Sequence, residues 1–279
     1  MRLRHLFLIL LLILKARPAE LNFFIQMSDP QFGMYAENRD FLQETINFEF
    51  AIATANRLRP KFVIICGDLI NQAGNAAQAA EFLCIAAKLD PAIKLYNVAG
   101  NHDVENQPTP ATLAAYREKF GPDYYSFRSG DLVGYVLNSS LIAAPAKAQA
   151  EAGRQEAWLK EELAKPRPEG VRHRVIFQHH SWFLENSDEP DQYFNIPTAI
   201  RKRYLTLFHG SGVTHVFAGH YHRTAYGRDG ALEMITTGPV SKPLGKDPSG
   251  IRVVEWTESG IEHQYYGLGS VPHEVPVKR

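Results

Sequence analysis

Apolar and polar positions follow two alternating rhythms along the chain. Residues 21–27 form a short apolar run that stops at Ser28-Asp29-Pro30, which predicts a buried strand. Residues 39–59 instead place Phe41, Leu42, Thr45, Phe48, Ile52 and Ala55 at helical spacing, the pattern of a helix with one buried face. A second apolar run over 61–66 stops at Gly67-Asp68. A helical pattern over 75–89 follows, with Pro91 beyond its end. A third run over 93–98 stops at Gly100-Asn101-His102-Asp103. Strand, helix, strand, helix, strand in that order predicts a parallel sheet with crossover helices.

The rhythm then changes. Residues 109–120 predict a short helix, and 124–128 and 132–137 two strands about the turn Ser129-Gly130-Asp131. Residues 149–163 are helical, and 171–178 form a strand that runs into His179-His180. A helix over 197–209 has Pro at its first turn. A strand over 213–217 leads to Gly219-His220-Tyr221-His222, and the tail predicts strands at 232–236, 251–256 and 261–266. No linker divides the chain after residue 20. The expected fold class is α/β: two mixed β-sheets packed face to face and flanked by helices, one domain over 20–279.

Five predicted strands end in Asp29, Asp68, Asn101, His179 and His220. Open α/β sheets gather ligands beyond the carboxyl ends of their strands, so these residues can converge although far apart in sequence. Asp, Asn and His donors suit Mn, Fe or Zn ions, and no thiolate is placed to join them. Each residue alone has an ordinary reading: Asp29 before Pro30 is a turn residue, Gly100-Asn101 is a turn, and His179 is a core histidine. Five of them in order, each after an apolar run, point to a metal site.

The blocks Ser28-Asp29-Pro30-Gln31, Gly67-Asp68-Leu69-Ile70-Asn71, Gly100-Asn101-His102-Asp103, Gln178-His179 and Gly219-His220-Tyr221-His222 resemble the five-block signature of the calcineurin-like metallophosphoesterases. Ser-Asp-Pro-Gln-Phe-Gly at 28–33, Phe-Gln-His at 177–179, Tyr-Phe-Asn at 193–195 and Leu-Gly-Lys-Asp at 244–247 resemble that family's small Ser/Thr-protein-phosphatase-like branch. The resemblance implies a phosphoester hydrolase with two divalent metal ions and the family's four-layer α/β/β/α fold. One ion would take Asp29, Asp68 and His222, and the other Asp68, Asn101, His179 and His220, with Asp68 bridging. A hydroxide between the ions would attack phosphorus in line with the leaving group. His102 would protonate the leaving oxygen, and Asp103 would orient the His102 ring.

Gln31 departs from the family's commoner pattern, which has His two residues after the first Asp. Its amide oxygen is a weaker ligand than imidazole, so the ions remain open among Mn, Fe, Zn and Mg. Asn71 is a further candidate oxygen near that ion. His180 is expected to point away from its neighbour His179. His173, His209, His215 and His263 are expected at the surface or at helix ends. Lys242 and Lys246 are expected in a solvated loop.

The chain has 279 residues, 45% hydrophobic and 22% charged, an ordinary globular composition. A core of that size needs no staples, so a metal would serve function rather than folding. Residues 1–5 are basic, 6–14 apolar and 15–20 polar, the layout of a secretory signal peptide over 1–19. As a helix the apolar run reaches about 14 Å, against about 30 Å of bilayer core, so no stable transmembrane span is expected. Export to a periplasm or the exterior is the expected location, with a membrane-tethered or a cytoplasmic protein as the alternatives. Loss of 1–19 leaves 26 basic and 30 acidic side chains, a net charge of −4. That argues against a nucleic-acid partner, which needs a basic face. Cys66 and Cys84 are expected to be buried free thiols. Residues 182–195 are rich in aromatics and hold Glu185, Asp188, Glu189 and Asp191; they are expected to wall the substrate pocket and to disfavour polyanions. The expected substrate is a phosphomonoester, in a small molecule or a phosphoprotein. A phosphodiesterase or nucleotide pyrophosphatase would share the metals. A non-catalytic metal-binding interaction domain is the alternative of another class, against which His102 and Asp103 argue.

Overall fold

A computed structural model describes residues 21–275, and the expected leader lies outside the described residues. The chain begins with β1 (Phe23–Met27), α1 (Leu42–Leu58), β2 (Phe62–Cys66), α2 (Ala76–Ala86) and β3 (Lys94–Val98). Then come α3 (Asn101–Val104), α4 (Pro110–Phe120), β4 (Tyr125–Ser129), β5 (Leu132–Val136), α5 (Ser139–Ala143), α6 (Gln149–Ala164) and β6 (His173–Phe177). The last third holds α7 (Thr198–Ser211), β7 (His215–Ala218), β8 (Ala225–Asp229), β9 (Leu232–Thr236), β10 (Gly250–Thr257) and β11 (Gly260–Gly267). Helix starts follow capping chemistry. The Asn75 side chain accepts the N–H groups of Ala77 and Gln78, and Thr109 caps α4 ahead of Pro110.

The strands form two sheets, β11-β10-β1-β2-β3 and β4-β5-β6-β7-β9-β8. In the first, β1, β2 and β3 are parallel, while β10 lies antiparallel to β1 and β11 antiparallel to β10. In the second, β5, β6, β7 and β9 are parallel, with antiparallel β4 and β8 at the edges. Alternation along each strand sorts side chains between layers. Phe23, Ile25 and Met27 face a core shared with Phe48, Ile52, Phe82 and Ile85 of α1 and α2. Phe24 points the other way, into the space between the sheets, with Phe62, Ile64, Phe177 and Phe217. Ile176 and Val216 pack with Leu159, Leu205 and Phe208 of α6 and α7 on the far side. The expected four layers are present. Central strands buried on both faces explain why they read as unbroken apolar runs.

Polar groups also stitch the two sheets. The buried Gln26 donates to the Ala218 carbonyl at 3.0 Å and accepts from the Thr237 hydroxyl at 2.6 Å. Arg252, also buried, donates to the same hydroxyl oxygen at 2.7 Å.

Several expectations need correction. The apolar pattern does not predict edge strand β8, because Ala-Tyr-Gly-Arg-Asp lacks alternation; pairing with β9 makes it a strand. Nor does it predict helix α5, which the Asn138 side chain caps by accepting the Leu141 N–H. His173 and His215 are buried on neighbouring strands, not at the surface. His173 lies 2.7 Å from the Thr257 carbonyl of the other sheet, and the His215 ring stacks on Phe217. His209 does end a helix, beside Asp229. Cys66 is buried, but Cys84 is exposed. Among the described residues no helix is long and apolar enough to cross a membrane.

Candidate metal centre

Asp29, Asp68, His179 and His220 each lie two residues beyond a strand end, after β1, β2, β6 and β7, and Asn101 opens α3 just past β3. The chain must turn sharply at each place to aim a side chain back over the sheets. Nine non-glycine described residues have positive φ, and five of them are Asp29, Gln31, Asp68, His220 and His222. Left-handed backbone is costly for such residues and collects at functional sites. Close approach between segments sets the glycines. A Cβ on Gly219 would fall 1.6 Å from the Ser28 hydroxyl and 2.7 Å from an Asp29 carboxylate oxygen. Gly67, at φ +87°, would drive a Cβ into the His179 ring.

Two groups of donors result, one of Asp68, His179 and His220 and one of Asp29, Asp68 and His222, and Asp68 belongs to both. All of these side chains are buried. His179 Nε2 is 3.2 Å from Asp68 Oδ2 and 3.0 Å from Asn101 Oδ1. His222 Nε2 is 3.4 Å from Asp29 Oδ1.

The hydrogen bonds explain what such a cluster attracts. Each imidazole has one ring nitrogen against a backbone carbonyl: His179 Nδ1 at Cys66 O (2.8 Å), His220 Nε2 at Tyr193 O (3.1 Å) and His222 Nδ1 at Lys242 O (2.7 Å). A carbonyl only accepts, so those nitrogens carry the protons. In each neutral ring the other nitrogen presents a lone pair. Asp29 Oδ1 and Gln31 Oε1 are buried with no hydrogen-bond partner. Lone pairs and carboxylate oxygens thus converge in a site without enough protons to join them. Divalent cations fit this donor set.

The electrostatics agree. Burial alone would raise Asp68, but His179 and then His102 and His220 hold its carboxyl well below the usual range. Burial would lower His179, yet Asp68 and Asp29 push it up to about 9: the carboxylates draw a second proton onto Nε2, the position at which a cation would displace it. Burial, then the neighbouring His179, lowers His220 to about 4, so its ring is neutral and able to ligate.

His102 lies partly exposed beside the two groups. Its backbone N–H donates to Asp68 Oδ1 at 2.8 Å, and its Nδ1 lies 2.8 Å from the Asn71 carbonyl. The role expected for Asp103 is corrected here. Its carboxylate accepts the backbone N–H groups of Gly100 at 2.8 Å and Ile70 at 3.1 Å and so ties two ligand loops together. The Asn71 carbonyl orients His102 instead. Asn71 also holds Gln31, whose Nε2 donates to Asn71 Oδ1 at 3.0 Å and leaves Oε1 unpartnered. His180 turns away to Ser139, with Nδ1 3.0 Å from its hydroxyl.

The sequence assigns no individual role to three contributors. Ser28 donates to Asp29 Oδ2. The Ser139 hydroxyl oxygen accepts the N–H groups of His179 and His180. Tyr193 receives His220 on its carbonyl. Ser28 and Tyr193 stand within the motif blocks 28–33 and 193–195, whereas Ser139 acts from an unrelated segment.

Comparison with known proteins agrees with this geometry. The sequence profile described as calcineurin-like phosphoesterase matches residues 24–224. The human serine/threonine-protein phosphatase CPPED1 is 37% identical over 262 residues, covering 88% of this chain and 83% of the relative. The zebrafish relative of the same name is 35% identical over 261 residues, covering 88% and 84%. A crystal structure of a dimetal phosphatase from Danio rerio superposes with a TM-score of 0.63 at 16% identity, over 89% of this chain and 96% of that one. This chain belongs to the calcineurin-like phosphoesterase family and is a metal-dependent phosphoester hydrolase.

Proposed function

We propose that the protein is a dinuclear phosphomonoesterase acting on phosphorylated small molecules or on phosphoserine and phosphothreonine in proteins. The convergence of three carbonyl-tethered imidazoles on a shared Asp68 carries this reading. Asp29, Asp68 and His222 would hold one ion, with Gln31 Oε1 as a weak oxygen ligand, and Asp68, Asn101, His179 and His220 the other. Bound there, the ions supply electrophilic charge and an activated water. The chain's own residues do the rest. Asp68 ties the two groups of donors together. Asn101 is neutral, so the filled site keeps positive charge for a phosphate. The Asn71 carbonyl fixes the His102 ring through Nδ1, so that in the imidazolium form Nε2 is the nitrogen that gives a proton to the leaving oxygen. The similarity to proteins named serine/threonine-protein phosphatase supports a monoester substrate.

The test is turnover by protein reconstituted with Mn²⁺, on nitrophenyl phosphate, a phosphoserine peptide and bis(nitrophenyl) phosphate. Monoesters should be cleaved faster. A faster diester would turn the reading to a phosphodiesterase, and metal binding without turnover of any ester would remove it. The proposal includes export through residues 1–19, supported by their basic, apolar and polar order. N-terminal sequencing of the protein from its native host checks this; an intact Met1 would refute cleavage.

A further inference from the structure

Tyr193 is a large aromatic residue left 60% exposed, on a loop that is otherwise tightly built. Arg201 of α7 is fully buried and donates to three carbonyls of that loop, Ser187, Glu189 and Ile196, at 2.8–3.1 Å. The Asn195 amide accepts the Gln192 N–H at 3.0 Å and donates to the Glu189 carboxylate at 2.7 Å and the Pro190 carbonyl at 3.0 Å. Ile196 joins the loop to the segment after β6 through the Ser181 carbonyl at 2.9 Å. Burying an arginine to satisfy loop carbonyls is a costly arrangement, and it fixes the position of what the loop carries.

What it carries is a ring against the metal centre. The Tyr193 carbonyl receives His220 Nε2, and its ring centroid lies 4.9 Å from that of His220. Phe194 backs it, with its centroid 5.2 Å from Tyr193 and 5.6 Å from His220. The Tyr193 hydroxyl oxygen lies 3.5 Å from Asn101 Nδ2, whose other contact, at 3.0 Å, is Asn106 Oδ1. In that long contact the amide is the donor, so the phenolic proton has no acceptor among the described residues. A phenol titrates at about 10 and so keeps this proton at neutral pH. A neutral O–H donor beside a ligand of the second ion, on a rigid loop and open to solvent, meets an anion bound at the ions.

We infer that the Tyr193 hydroxyl donates a hydrogen bond to a non-bridging phosphoryl oxygen of the substrate, and that its ring forms the wall against which the leaving group lies. This rests on the phosphomonoesterase reading above. A purely structural role would need only the backbone carbonyl and the ring, both of which Tyr193→Phe keeps.

The experiment titrates inorganic phosphate into Mn²⁺-loaded wild type, Tyr193→Phe and Tyr193→Ala by calorimetry, with elemental analysis of each protein. A hydrogen bond to a charged group is worth about 1.5–3 kcal/mol. Tyr193→Phe should therefore keep its metal content and bind phosphate at least about tenfold more weakly, with kcat/KM for phosphomonoesters falling at least as much. Tyr193→Ala should in addition lose the preference for aryl over alkyl phosphates. Wild-type phosphate affinity in Tyr193→Phe would overturn the contact. So would loss of metal from that variant, which would make Tyr193 a support for Asn101, and so would a wild type that binds metal but no phosphate. A wild type that binds phosphate through the hydroxyl yet cleaves no monoester would sink the proposed function and leave the Tyr193 contact standing.

Discussion

Replacing Asp68 by Asn tests the shared ligand directly, and the structure dictates how the amide must sit. Asp68 Oδ1 accepts the His102 N–H at 2.8 Å, while Oδ2 lies 3.2 Å from His179 Nε2. An amide nitrogen in the first place would set donor against donor. The oxygen of the introduced amide therefore stays on the His102 N–H, and its NH₂ takes the place facing His179. That group has no lone pair for a cation, and the unit negative charge is gone. Losing a charge roughly 4 Å from a cation costs about 4 kcal/mol at the effective dielectric of a protein site. Every 1.4 kcal/mol is a factor of ten, so affinity should fall on the order of a thousandfold for each ion that Asp68 touches. The assay is metal titration of chelator-stripped wild type and Asp68→Asn, followed by elemental analysis and turnover of nitrophenyl phosphate. The near-isosteric change should leave the metal-free protein folded, because it keeps the side chain's volume and its bond to the His102 N–H. A variant that keeps both ions with wild-type affinity, or loses only one while the other is held unchanged, would refute the shared role.

Other expectations concern single groups. His102→Ala should keep its metals and lose at least about a hundredfold in kcat; the loss should be smaller for nitrophenyl than for alkyl phosphates, and equal losses would point to binding rather than proton donation. Gln31→His should tighten the first ion and shift preference from Mn²⁺ or Mg²⁺ toward Zn²⁺ or Fe, since imidazole is softer than the amide oxygen it replaces; identical metal titrations for variant and wild type would contradict this. Burial, against a partial pull from Glu233, lowers His215 to about 4. With a folded pKa below the unfolded value of about 6.5, the unfolded chain binds more protons between those limits, and stability falls as pH drops through that window. Urea unfolding should show about 2 kcal/mol less stability from this residue at pH 5 than at pH 7, a difference that His215→Gln should remove; an unchanged pH slope in that variant would show that His215 does not carry it.

Much of the site was legible because its signals are local. Each ligand follows an apolar run, and a glycine or a turn residue marks where the chain breaks to aim it. Strand and helix positions were legible for the same reason: burial on one face or two writes a period into adjacent residues. Where that writing is faint, as in β8, only pairing with a neighbour made the strand. The buried His173 and His215 misled because a titratable side chain looks like a surface residue until its strand is known to turn it into the space between the two sheets. Cys84 misled in the opposite sense, as an apolar type on the exposed face of α2.

By itself, then, the sequence determined the strand–helix order, the donor types and the order in which they appear. The tertiary structure alone decided which group satisfies which. Packing brought Cys66 O, Tyr193 O and Lys242 O to the three imidazoles and so chose the nitrogen each ring presents. It gave His102 to the Asn71 carbonyl and Asp103 to two backbone N–H groups. It returned β10 from the far end of the chain to lie beside β1. Except for the local Asp103–Gly100 contact, these partners are separated by tens to hundreds of residues, and their choice depends on how whole layers stack and on which buried polar groups must be satisfied. No local period encodes that, because the requirement exists only once the sheets have met.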